Sequence, residues 1–267
     1  MPSTPTELLG TSHGVELEYL VTGTGQPVTV FAHGLGAGIA DTRPLGSGVP
    51  GSKIFVAFRG HGRSGAPPGE WTYADLAADL GAVADLHHAN QALGVSLGAG
   101  ALCRLLVERP DRFERLVFFL PAVLDTPRAG PSRARVTALL DAIGSGDRER
   151  VAEAVSREVP EALRATPAAV AFARQRTERL LRDGLGAGIA GLADRVAVPD
   201  ATALTAVSAP ALVIAAAGDE LHPVPVAERL AGLLPRAELH VYDRPGVLWT
   251  ARADLRQRIS TFLAAGA

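Results

Sequence analysis

What the chain lacks narrows its options. Its 267 residues include one cysteine, Cys103, one methionine and one lysine, Lys53. A lone thiol closes no intrachain disulfide and offers no CxxC pair to zinc or redox chemistry. No spacing of His, Asp, Glu or Cys matches a metal site, and no G-x-G-x-x-G run opens a dinucleotide-binding turn, so neither a metal nor a cofactor is expected. The longest apolar run, Leu116 to Leu124, is far shorter than the ~20 residues that cross a bilayer. Residues 1–10 show no charged leader followed by a long apolar stretch, which makes a cytoplasmic protein without membrane contact the expectation. A net charge of −2 with no basic stripe argues against a nucleic-acid partner. The remainder is ordinary globular composition, 47% hydrophobic and 20% charged, in a chain long enough for one sizeable core.

Short apolar runs at Val15–Val21, Pro27–Ala32 and Lys53–Phe58 read as strands, with glycine-rich turns after the last two. Between Thr72 and Asp85 the spacing of Leu76, Leu80 and Val83 makes one apolar helical stripe, and Asp75 and Asp79 are expected on the solvent side. A strand over Asn90–Val95, a helix over Leu97–Arg109 stopped by Pro110, and a strand over Arg115–Leu120 complete a parallel βαβ signature. From Pro121 to about Pro199 the periodicity is helical, with no convincing strand. Strand character returns at Ala211–Ala215 and Glu238–Tyr242, each followed by a helix, the last over Ala251–Leu263. The expected fold class is therefore α/β, with a mostly parallel sheet of about eight strands.

Two motifs stand at strand ends. Gly94-Val95-Ser96-Leu97-Gly98 matches G-x-S-x-G between a strand and a helix. A nucleophilic serine must stand at the tip of a sharp turn, and flanking glycines let the backbone close up around it. His33-Gly34-Leu35-Gly36 follows the strand that ends at Ala32. Acyl transfer needs N–H groups aimed where charge develops on a carbonyl oxygen, and the amides of Leu35 and Leu97 are the candidates, the latter aided by its helix dipole. His33, Gly34, Val95 and Val247 are expected to line the pocket. Each motif also has a bland reading, as a tight turn without catalysis.

In this order the motifs resemble the α/β-hydrolase superfamily, in the lidded branch that includes esterases, haloperoxidase-like enzymes and C–C hydrolases. The residues that carry the resemblance are HGLG at 33–36, RGHGRS at 59–64, GVSLG at 94–98, the helical stretch after Leu120, and Gly218-Asp219-Glu220-Leu221-His222-Pro223. The resemblance implies a sheet flanked by helices, with residues 1–121 and 200–267 forming the core and 122–199 an inserted helical cap. It also implies Ser96 as nucleophile and Asp219 as the acid that orients a catalytic histidine. In the family that histidine follows the last strand, in a Gly-His sequence. Here the chain reads Pro245-Gly246-Val247, and no histidine follows His240.

Other histidines must therefore be weighed as the base. His222 lies three residues after Asp219 in a turn that opens a helix, where i and i+3 share a face, although one ring must then span Asp219 and Ser96 from a cramped position. His240 falls inside a strand, His33 organises its own turn, and His61, His87 and His88 read as turn and surface residues. Deprived of its usual partner, Asp219 needs another donor, with His222 or a backbone amide the candidates. The leading functional expectation is a serine hydrolase-like enzyme with a degenerate triad, acting on a small apolar ester, lactone or related carbonyl substrate. A lyase or cyclase on the same scaffold, or an inactive ligand-binding protein, are the alternatives. The expected partner is a small molecule, and a homodimer is left open.

Overall fold

The computed structural model describes residues 5–181 and 185–265. Eight strands form one sheet: β1 Glu7–Gly10, β2 Glu16–Thr22, β3 Val28–Ala32, β4 Ser52–Val56, β5 Gln91–Val95, β6 Arg115–Phe119, β7 Ala211–Ala216 and β8 Ala237–Tyr242, in the order β1-β2-β4-β3-β5-β6-β7-β8. Pairing is antiparallel for β1 with β2 and β2 with β4, and parallel from β4 through to β8. β5 therefore lies near the middle, and the order reverses direction on either side of β3. That switch point is where open α/β sheets place their sites, beyond the carboxyl ends of the strands.

The central strands β3, β5, β6 and β7 are buried on both faces, which is why their sequences read as continuous apolar runs. Alternate residues enter different cores. Val117, Phe119 and Ile214 join Leu255, Ile259 and Leu263 on one side, whereas Leu116, Phe118 and Val213 join Leu76, Leu102 and Leu106 on the other. The helices of nine or more residues are α1 Tyr73–Leu86, α2 Leu97–Glu108, α3 Gly130–Ser145, α4 Arg148–Ser156, α5 Pro167–Leu180, α6 Val224–Leu233 and α7 Arg252–Ala264. Their ends carry their own signals. Thr72 and Asp75 form a capping box on α1, Asp147 caps α4, and Thr166 caps α5 just before Pro167.

Between β6 and β7 the described residues hold helices and no strand. This insertion is stitched to the rest of the molecule at several points. Trp71 N–H donates to Gly188 O at 2.7 Å, Arg195 Nη2 donates to Glu70 Oε2 at 2.7 Å, Arg179 pairs with Asp41, and Phe172 meets Trp249 edge-on.

Three features differ from the sequence reading. β1 went unseen because its four residues form a mostly exposed edge strand without hydrophobic alternation. Asp79 does not face solvent but is fully buried, where it accepts from Arg59 Nη2 at 2.8 Å and contacts His13 Nε2 at 2.9 Å. The cause is Arg59 of the RGHGRS turn, itself only 5% exposed, whose buried guanidinium requires a carboxylate. His61 is likewise buried, at 4% exposure, and its place is described below.

No helix among the described residues is long and apolar enough to cross a membrane. Among those residues no cluster of His, Cys, Asp and Glu has the composition to hold a metal ion.

Candidate active site

Ser96 stands between β5 and α2 with φ 51° and ψ −106°. A non-glycine residue held there costs ~1–3 kcal/mol, so its surroundings must enforce it. Ser96 N–H donates to Phe119 O at 2.9 Å, and its carbonyl accepts from Gly100 N–H at 3.1 Å. The glycines of the motif are sterically required. A Cβ at Gly94 would lie 2.5 Å from Gly98 O, and one at Gly98 would lie 2.5 Å from Ala32 O.

His222 reaches this serine. Its Nε2 is 2.9 Å from Ser96 Oγ, and its Nδ1 is 3.0 Å from Asp219 Oδ2. The Asp219 carboxylate only accepts, so Nδ1 carries the proton and Nε2 is left to accept from the serine hydroxyl. Asp219 Oδ1 also accepts from the amides of Leu221 at 3.0 Å and His222 at 3.2 Å. These bonds curl residues 219–222 into a tight turn before α6, which relieves the cramping expected of an i, i+3 pair. Burial alone would raise the Asp219 carboxyl. The bond and charge of His222 and the two amides outweigh burial and hold the group below the usual carboxylate range.

The turn at 33–38 lies against the elbow, since a Cβ on Gly34 would sit 3.4 Å from Ser96 Cβ. Among the described residues neither Leu35 N–H nor Leu97 N–H donates to a protein acceptor. Leu97 opens α2, where the first amides of any helix lack internal partners. Two buried imidazoles fix the turn. His33 Nδ1 donates to Gly34 O at 2.7 Å and its Nε2 accepts from Phe58 N–H at 3.1 Å. His61 Nδ1 donates to Arg59 O at 2.9 Å and its Nε2 accepts from Gly36 N–H at 2.9 Å. Both rings are neutral, because burial pushes His33 down to about 4 and His61 down to about 3. The sequence reading of His61 as a surface residue is thus corrected: it ties the RGHGRS turn to the HGLG turn.

Arg176 of α5 also grips this turn and was not anticipated. Its Nη2 donates to Leu35 O at 2.8 Å while its Nε donates to Glu158 Oε2 at 2.7 Å. No local pattern marks a contact across 141 residues of sequence.

The expected pocket lining needs correction at three positions. His33 is 0% and Val247 2% exposed, so neither presents surface to a pocket. Val247 opens a single-turn helix, Val247–Thr250, and packs in the apolar cluster that includes Leu120, Ile214 and Leu255. Gly34 is buried behind the elbow and Val95 is half-buried. His240 sits in β8 with its ring edge-on to Tyr242, and makes no bond to Ser96 or Asp219 among the described residues.

Residues 27–246 match the family model for the alpha/beta hydrolase fold. The chain belongs to that family. Solved structures agree with this placement. A hydrolase from Pseudomonas aeruginosa PA01 superposes with a TM-score of 0.79 at 25% identity, over 99% of this chain and 100% of that one. An esterase from Exiguobacterium antarcticum gives 0.81 at 18% identity, over 97% and 99% of the two chains. The enol-lactonase from Burkholderia xenovorans LB400 gives 0.79 at 21% identity, over 97% and 100%. At such identities the last two share the fold of this α/β-hydrolase and do not define its substrate.

Proposed function

We propose that this α/β-hydrolase is a serine hydrolase of small esters or lactones, with Ser96 as nucleophile, His222 as general base and Asp219 as the acid that orients it. The observation that carries this reading is the pair of contacts made by one ring, 2.9 Å to Ser96 Oγ and 3.0 Å to Asp219 Oδ2. Ser96 Oγ attacks the substrate carbonyl as its proton passes to His222 Nε2, and Asp219 stabilises the resulting imidazolium. The amides of Leu35 and Leu97 receive the oxyanion. His222 then gives the proton to the departing alkoxide, leaving an acyl-serine. A water molecule, deprotonated by the same nitrogen, cleaves the acyl-serine and releases the acid.

In this reading the base sits after β7, and Val247 does not substitute for it. Residues 122–199 act as a cap whose α5 bears on the oxyanion turn through Arg176. The esterase and enol-lactonase among the structural relatives are compatible with carbonyl chemistry of this class. A non-hydrolytic role resting on a neutral Asp219 has no support, since that carboxyl has three donors. The test is p-nitrophenyl acetate turnover combined with fluorophosphonate labelling. Ser96→Ala is expected to abolish both, and His222→Ala to lower turnover by ~10⁴–10⁶. Turnover that survives in His222→Ala sinks the assignment of the base, and a wild type that neither turns over nor labels sinks the reading as a whole.

A further inference from the structure

A cavity of about 260 Å³ lies between α3 and α4, walled by Leu139, Ala154, Arg135, Arg157, Glu158 and Leu221. Leu221 directly precedes His222, so the cavity adjoins the turn that carries the base. Its size falls just below the ~300–1,000 Å³ typical of ligand sites, which limits it to a small molecule. Part of its wall is apolar and part is charged, and the charged groups are unequally satisfied.

Arg157 pairs with Glu153 at 2.7 Å, and Glu158 pairs with Arg176 at 2.7 Å. Asp219 is held by His222 and two amides. Arg135, half-buried on α3, makes no side-chain hydrogen bond or ion pair among the described residues. Burial and the charge of Arg157 hold its guanidinium below its ordinary value, while Glu220, Glu158 and Asp219 work in the other direction. The Arg135 guanidinium lines the cavity and pairs with no protein group among the described residues, and a carboxylate is the group its planar fork matches best. The acidic groups that act on it are either engaged elsewhere or, like Glu220, turned to solvent. A carboxylate entering the cavity would supply that pairing.

We propose that Arg135 binds a carboxylate of the substrate, so that the esters and lactones cleaved at Ser96 are short ones bearing a free carboxylate on the acyl side. This rests on the serine-hydrolase reading for its catalytic half only; recognition of the carboxylate stands on Arg135 and the cavity. A short apolar arm against Leu139, Ala154 and Leu221 joins the anchored carboxylate to the reacting carbonyl.

The experiment compares monomethyl glutarate with methyl valerate, which differ at the arm's terminus, by proton release in a pH-stat. Glutarate binding by calorimetry is measured in parallel. The wild type is expected to favour the carboxylate-bearing ester by ~10–100-fold in kcat/KM. Arg135→Met is expected to collapse that ratio towards one, and Arg135→Lys to keep part of it, with thermal unfolding checking that both variants fold. A wild-type ratio near one, or a ratio that Arg135→Met leaves intact, overturns the proposal. If neither ester is cleaved, the serine-hydrolase reading has failed and calorimetry decides alone. Glutarate binding weakened at least ~10-fold by Arg135→Met supports the site, and no binding to the wild type overturns it.

Discussion

Arg176 Nη2 donates to Leu35 O at 2.8 Å, and through this one bond α5 holds the peptide next to the Leu35 amide. Arg176 is 9% exposed and its charge is neutralised by Glu158, so its geometry is tightly determined. We expect Arg176→Lys, which keeps the charge but loses the fork, to lower kcat by ~10-fold with little change in KM, because the misplacement matters most where the oxyanion forms. Arg176→Met leaves Glu158 unpaired and is expected to cost ~3–5 kcal/mol of stability as well. Steady-state kinetics and urea unfolding of the two variants separate positioning from structure. Equal losses in kcat and in stability for Arg176→Lys would assign it a purely structural role.

Val247→His is the substitution that family resemblance recommends, and we expect it to fail. Val247 is 2% exposed among Leu120, Ile214 and Leu255, so an imidazole there is buried in an apolar cluster without a partner. A loss of ~1–3 kcal/mol and no gain in ester turnover are expected, since His222 already occupies the space between Ser96 and Asp219. A marked rise in turnover would show that His222 is a poor base.

Asp219→Asn tests the tautomer. The carboxylate fixes the proton on His222 Nδ1, and an amide at the same place permits the reverse arrangement, with Nε2 protonated and unable to accept from Ser96. A fall of ~10⁴ in kcat with a normal unfolding curve is the expected result. Because Asp219 is held below the usual carboxylate range, it stays ionised as pH falls through mildly acidic values.

His33 and His61 make stability depend on pH. Their folded values are lowered to about 4 and about 3, against about 6.5 in an unfolded chain. Between these limits the unfolded state takes up protons that the native state refuses. Stability is full above pH 6.5 and drains as pH falls through the folded values, at up to about 1.4 kcal/mol per pH unit for each imidazole. Urea unfolding at several pH values between 7 and 4 measures the slope, and His61→Gln should remove roughly half of it. An unchanged slope in that variant would place the acid sensitivity elsewhere.

The fold was legible because its signals are local. The apolar runs of β3 to β7, the stripe on α1 and the strand–turn–helix setting of GVSLG each report on neighbouring residues. The elbow could be placed from the same local pattern. His222 was harder, since Asp219 and His222 adjoin in sequence whereas Ser96 lies 126 residues away, and only the folded sheet brings the three together. Asp79 misled because its stripe position was judged on α1 alone, without the buried Arg59 that faces it. Arg176 and Arg135 left no local trace at all. Each draws its meaning from groups on other elements, one from Leu35 O and Glu158, the other from the lack of any partner.

Asp219 and His222 share one four-residue turn, and this frees another part of the molecule. Their separation is set by two backbone amides inside that turn, and it does not depend on how β8 meets β7. The contact between Asp219 and His222 therefore needs no residue from the edge strand or from the segment after it. Graft the turn onto another sheet of this kind and both groups travel with it, needing only a serine at the right distance.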